Sequence, residues 1–199
     1  GIPFDPFAMT ALLDDEMREA GVEVLFFTRA VAVTRVGNTI TQVMIHNKSG
    51  FQAVPARIII DATGDADIAA MSGCETVLGR AEDRLMTPVT LQVHMDRIDA
   101  EAMADYANQH GSGGAFRWLD EIQALIQQGE WPFEYNRLIS VQLTDKDTFM
   151  VNTSRLVGCD GTDGASVSRA MAQGRREALQ LLAILRQHAP GFQNARIKA

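Results

Sequence analysis

Three aspartates fall within the run Asp61-Ala62-Thr63-Gly64-Asp65-Ala66-Asp67. Oxygen-rich runs can hold a divalent cation, but a calcium loop wants ligands at alternating positions, Gly at the sixth and Glu at the twelfth. Ala66 is the sixth residue counted from Asp61, so no metal is expected. An aspartic-protease Asp-Thr-Gly fails too, because Ala62 stands where its acid would be. Anion recognition fits better. A Gly-containing turn that ends an apolar strand and opens a helix can aim backbone amides at a negative group. Thr63, Gly64 and Asp65 are therefore the first candidates for ligand contact, and Asp65 could also cap the following helix.

Asn152, Thr153 and Arg155 form a second polar group. The forked donors of Arg155 suit a carboxylate or phosphate, although an exposed structural arginine would look the same in sequence. His46, His94, His110 and His188 are scattered without metal-ligand spacing. His94 lies on the phase opposite to Val89, Leu91, Val93 and Met95, which suits solvent or the wall of a substrate cleft. No G-x-S-x-G elbow follows a strand, and no residue can be named as a catalytic acid or base. Cys74 and Cys159 match neither a zinc site nor a C-x-x-C pair and read as ordinary reduced thiols.

The elements that must position these groups follow from periodicity. Asp5-Pro6 opens a helix that runs to Gly21, with Met9, Leu13, Met17 and Ala20 on the face expected to pack on a sheet. A short strand is expected over 22–28. A three-stranded meander follows over 30–55, turning at Gly37-Asn38 and Lys48-Ser49-Gly50. Ile58-Ile59-Ile60 is expected to be a strand buried on both faces, followed by the turn and by a helix over 66–71. Beyond a possible edge strand at 76–79, a strand over 89–95, helices near 100–109 and 115–128 and a hairpin over 138–151 are expected to form a second domain. A long helix over 166–187 completes it, with Val167, Met171, Gly174, Ala178, Leu181, Leu182 and Leu185 as its seam. His110-Gly111-Ser112-Gly113-Gly114 lacks the G-x-G-x-x-G order and reads as a connection.

The 199 residues carry 46% hydrophobic side chains and a net charge of −7, which suits a soluble fold and argues against nucleic-acid binding. Two ordinary reduced thiols favour a cytoplasmic location, and with no apolar span of about 18 residues no membrane insertion is expected.

The run IIIDATGDADIAAMSG resembles the ATG motif of FAD-dependent oxidoreductases in the glutathione-reductase-like superfamily. FDPFAMTALLDDEMREAGVEVLF, NKSGFQAVPARIII, NTSRLVGCDGTD and AMAQGRREALQLLAILRQHAPGF resemble the same family in order and spacing. The resemblance implies an α+β, partly α/β fold: a partial FAD-binding domain over 1–79 and a substrate or cap domain over 80–199. It also implies that Ala62, Thr63, Gly64 and Asp65 face FAD, and that the backbone of Ala30 and Val31 meets its adenine. From the residues alone, Ala30 and Val31 indicate only a half-buried strand.

The glycine-rich βαβ unit of such enzymes does not occur here, nor does the C-terminal segment that returns to the flavin. The chain is thus expected to be an internal piece whose partners are the remaining portions of its parent and a small-molecule substrate. By itself it is expected to bind FAD weakly or not at all and to be inactive. Asn152, Arg155 and His94 are the candidates for substrate contact. The alternative is a non-catalytic binding or assembly module of the same architecture.

Overall fold

A computed structural model describes residues 4–110 and 118–198. The chain forms two compact units, one spanning Phe7–Leu78 and the other Gly79–Ala199 with the first six residues. Both mix helices with antiparallel sheets, an α+β organisation consistent with a partial FAD-binding domain.

In the Phe7–Leu78 unit, helix α1 (Pro6–Glu19) precedes strands β1 (Arg29–Val36), β2 (Thr39–Asn47) and β3 (Gly50–Pro55), which pair antiparallel in that order. The expected turns set the register: Val36 pairs with Thr39 across Gly37-Asn38, and Asn47 with Gly50. The Asn47 carboxamide accepts from the Ser49 amide at 2.9 Å and closes the second turn. Helix α2 (Asp67–Met71) follows the aspartate-rich bend.

Three expectations fail in this unit for one physical reason. Residues 22–28, 58–60 and 76–79 are extended or turning but join no strand. Ile58 and Ile60 are 84% and 86% exposed rather than buried. A β-branched run favours extended backbone, but only a paired neighbour makes it a strand and only a packed layer buries it. The α1 stripe stands open likewise: Met9, Leu13 and Met17 are exposed, and the helix buries no residue. Buried apolar side chains in the unit are Ile45 and Ile68.

The Gly79–Ala199 unit has a continuous core. Its sheet runs β5 (Ser140–Gln142), β6 (Phe149–Val151), β4 (Val93–Asp96), β7 (Arg196–Ile197), all antiparallel where paired. The expected hairpin is β5–β6. The strand expected over 89–95 is confined to β4, with Val89 bridging to Leu156. Strand β7 was not anticipated. Helices α3 (Ala100–His110), α4 (Leu119–Gln128) and α5 (Gly164–His188) pack Met103, Ile122, Leu125, Ala178, Leu181 and Leu185 with Met95, Phe149 and Val151 of the sheet. Residues 111–114 of the expected connection and Phe116 of the α4 stripe lie outside the described residues. Asp163 caps α5 by accepting from the Ala165 and Ser166 amides at 3.1 and 3.0 Å. The α5 seam is buried from Gly174 onward, whereas Val167 and Met171 stay exposed.

Strand β7 is tied to β4 by a fork-on-fork pair, in which Arg196 donates to both Asp96 oxygens at 2.7 and 3.0 Å. The Arg196 hydrogen bonds, and the charge beside them, hold the Asp96 carboxyl below its ordinary range. A carboxylate whose folded pKa is depressed contributes stability above its unfolded value of about 4 and loses it as pH falls through the folded value. Melting of the chain is therefore expected to be flat from neutral pH to about 5 and to fall below about 4. Asp96→Asn should make that acid limb shallower, the remainder coming from other depressed carboxylates such as Asp61; an unchanged acid limb in the variant would contradict the assignment.

Candidate functional site

The bend after Ile60 is organised by Asp61. Its Oδ1 accepts from the Thr63 amide at 3.0 Å and the Thr63 hydroxyl at 2.6 Å, while Oδ2 accepts from the Ala69 amide at 2.9 Å. Thr63 Oγ1 in turn accepts from the Asp67 amide at 2.8 Å. Side chains before the turn thus satisfy two amides of the first turn of α2. These donors, led by the Thr63 hydroxyl, hold the Asp61 carboxyl below the ordinary carboxylate range.

Asp65 does not cap the helix. The residue before α2 is Ala66, in the left-handed region at φ 55, and it has no side-chain cap. That backbone turn leaves the capping work to Thr63 and Asp61, and Asp65 makes no hydrogen bond among the described residues.

The consequence is a turn with several donors left over, those of Gly64 and Asp65 among them. The amides of Gly64 and Asp65 have no partner among the described residues, and nothing lies within 4 Å of where a Gly64 side chain would begin. Ala62 to Asp67 are all exposed. The helix after the turn is tied to the meander by Arg35 of β1, which donates to the Ser72 carbonyl at the end of α2.

Ala30 and Val31 lie on the same strand. The register jumps between Ala30, opposite Ile45, and Ala32, opposite Met44, so Val31 is the extra residue of a β-bulge. It sits on β1, the edge of its sheet, with its backbone outside the β1–β2 ladder.

Sequence reasoning overlooked Asp61 as the organiser, although a signal exists. The spacing Asp-x-Thr recurs at Asp160-Gly161-Thr162, where Asp160 Oδ1 accepts from the Thr162 amide and hydroxyl at 2.8 and 2.7 Å. The same three-residue pattern builds the same turn twice. Replacing Asp61 by alanine is expected to release the Thr63 and Ala69 amides, with their hydrogen exchange rising while that of β1–β3 is unchanged. Unaltered exchange at Ala69 would show that the carboxylate does not hold the bend.

In the Gly79–Ala199 unit, two of the three residues expected to meet substrate come together. Asn152 and Arg155 line a cleft of about 230 Å3 with Thr87, Pro88, Thr90 and Tyr135. Thr153 is also in its wall, where its hydroxyl accepts from the Ile139 amide at 3.2 Å. His94 is not part of that wall: it sits half-buried in β4 opposite Met150.

Tyr106 and Glu121 form a further polar cluster, with the phenol donating to the carboxylate and its ring stacked on His110 at 4.0 Å. Burial, with the hydrogen bond and charge of Glu121, pushes the phenol pKa above its ordinary range. Tyr106 is a neutral donor bracing α3 to α4. No group of three or more metal-ligating side chains occurs among the described residues. No helix among them is long and apolar enough to cross a membrane.

The Gly-containing bend thus lies between an unpaired apolar segment and the start of α2, in a chain of α+β organisation. The family model for FAD dependent oxidoreductases matches residues 2–199, and the chain belongs to that family. No curated protein and no solved structure gives a match.

Proposed function

We propose that the chain supplies part of the FAD site and the substrate-binding domain of a cytoplasmic flavoenzyme of the glutathione-reductase-like class. Membership of the family makes flavin redox its general chemistry. The observation that carries the finer reading is the open bend: exposed, held in shape by Asp61, with the Gly64 and Asp65 amides unpartnered.

These residues fit a flavin dinucleotide in part. Free amides beside a residue without a side chain can approach diphosphate oxygens, and the Val31 bulge offers edge backbone to an adenine. Asp61 and Thr63 would hold the turn in shape. When bound, the flavin ring supplies the redox chemistry, commonly hydride transfer, and the protein supplies orientation and electrostatics.

The open apolar surface supports the internal-piece reading. Ile58, Ile60 and the α1 stripe are each exposed, and a doubly wound sheet normally covers such side chains with further parallel strands and helices. Those layers would come from other portions of the parent chain. No G-x-G-x-x-G turn is present to complete a diphosphate cradle, so FAD is expected to bind the 199-residue chain weakly and the isolated chain is expected to be inactive. Calorimetric titration should show no tight stoichiometric complex; a complex with submicromolar affinity would contradict the reading. Recovery of the full coding frame should reveal a glycine-rich βαβ unit ahead of residue 1, and its absence would remove the second half of the pocket.

A further inference from the structure

We infer that the cleft between Thr87–Thr90 and Asn152–Arg155 binds a small molecule through a carboxylate group. The cleft carries an excess of donors. Arg155 makes no ion pair among the described residues, and its guanidinium lies over the Tyr135 ring, 5.6 Å from the centroid. No aspartate or glutamate is among the residues lining the cleft, although the chain as a whole carries a net charge of −7.

The neighbouring side chains are oriented by their own bonds. Thr90 Oγ1 donates to Asn152 Oδ1 at 3.0 Å, and Thr90 Oγ1 lies 3.1 Å from Ser154 Oγ, which is fixed by the Leu91 amide at 3.1 Å. With its oxygen committed to Thr90, the Asn152 carboxamide keeps its NH2 as a donor with no acceptor among the described residues. The backbone amide of Asn152 is tied to the Ile139 carbonyl at 2.9 Å, so the carboxamide stands on a strand-like support. A forked cation and an oriented amide line the same cleft without a protein acid in its wall to quench them, which is the complement of an anion.

Carboxylate is favoured over phosphate by charge. A carboxylate carries one negative charge and matches one guanidinium fork, whereas a phosphate dianion would find a single cation and no helix terminus. Pro88, Val89, Ile139 and the Tyr135 ring give the rest of the cleft an apolar wall, which suits a short hydrocarbon or aromatic body. A volume of about 230 Å3 is below that of pockets taking drug-sized ligands, about 300–1,000 Å3. As a substrate site the cleft rests on the flavoenzyme reading; as a binding site it does not.

The test is titration of the 199-residue chain, without flavin, by benzoate, by its neutral isostere benzamide and by inorganic phosphate, followed by calorimetry and amide shifts. Benzoate is expected to bind and to shift the Asn152 and Arg155 amides, and benzamide to bind at least about tenfold more weakly. Arg155→Ala is expected to weaken benzoate at least about tenfold, and Arg155→Lys to fall between, since it keeps charge but loses the fork. Arg155 is exposed, so its replacement should leave melting unchanged. Failure of benzoate to bind the unaltered chain, equal binding of benzamide, or unchanged affinity in Arg155→Ala would each overturn the assignment. Phosphate binding more tightly than benzoate would overturn the choice of carboxylate. Because no flavin enters the titration, failure here leaves the flavin reading standing.

Discussion

Phe192→Ala is expected to cost about 3–5 kcal/mol of stability, the range for emptying a large aromatic site in a packed core. Phe192 is 0% exposed and meets Trp118 edge to face, with ring centroids 5.4 Å apart. Trp118 is itself buried and stacks at 6.2 Å on Tyr106 of α3. Removing the Phe192 ring leaves a void between the α5 end and α3 that neighbouring rings fill poorly, because aromatic side chains are rigid. Urea unfolding monitored by tryptophan fluorescence would measure the loss. A change below about 1 kcal/mol would place the ring outside the core.

Gly191→Ala is expected to lose about 2–5 kcal/mol, from two sources that act together. Gly191 has φ +93, a conformation that costs a side-chain-bearing residue about 1–3 kcal/mol. A Cβ there would also lie 2.7 Å from the Asp99 carbonyl oxygen and 2.7 Å from Met103 Cγ. Asp99 cannot yield freely. Its amide donates to the Gly191 carbonyl at 2.9 Å, and its carboxylate accepts from the Glu101 and Ala102 amides at the start of α3. Gly129→Ala is the control, with φ +74 and nothing within 4 Å of the added carbon. It should show the strain alone, about 1 kcal/mol. Equal losses at both glycines would mean that the close approach at Gly191 contributes nothing. Phe192 and Gly191 adjoin the same α3 contact, so the double variant is expected to lose less than the sum.

What could be read from the sequence was what local chemistry decides. The meander was legible because Gly37-Asn38 and Lys48-Ser49-Gly50 interrupt runs of β-forming residues, and a two-residue connection between such runs has few other solutions. The β5–β6 hairpin and α5 were legible for similar reasons, a polar turn at Asp145-Lys146-Asp147 and a seam repeating at helical spacing. Pairing at a distance was not. Strand β7 is two residues long, and its place depends on Arg196 meeting Asp96, a partner 100 positions away that no periodicity reveals.

The candidate site divides in the same way. The position of the bend was visible in Ile60-Asp61-Ala62-Thr63-Gly64, because a β-branched run broken by glycine marks where extended backbone must turn. Its internal bonding was misassigned, since a cap at Asp65 assumes that the helix begins beside it. Ala66 in the left-handed region moves that work to Thr63 and Asp61. The exposure of Ile58 and Ile60 could not follow from their own side chains, because burial depends on whether another layer packs on them. Asn152 and Arg155 were identifiable as a polar pair, but the role of Thr90 in orienting Asn152 is a contact across 62 positions.

The central claim, that the bend after Ile60 is one half of a nucleotide site, is tested most directly by following backbone amide shifts as FAD is added to the 199-residue chain. Weak binding still registers residue by residue. The largest shifts are expected at Gly64 and Asp65, with smaller ones at Val31 and none in β5, β6 or β7. Silence at Gly64 and Asp65, or shifts confined to the Gly79–Ala199 unit, would contradict the claim.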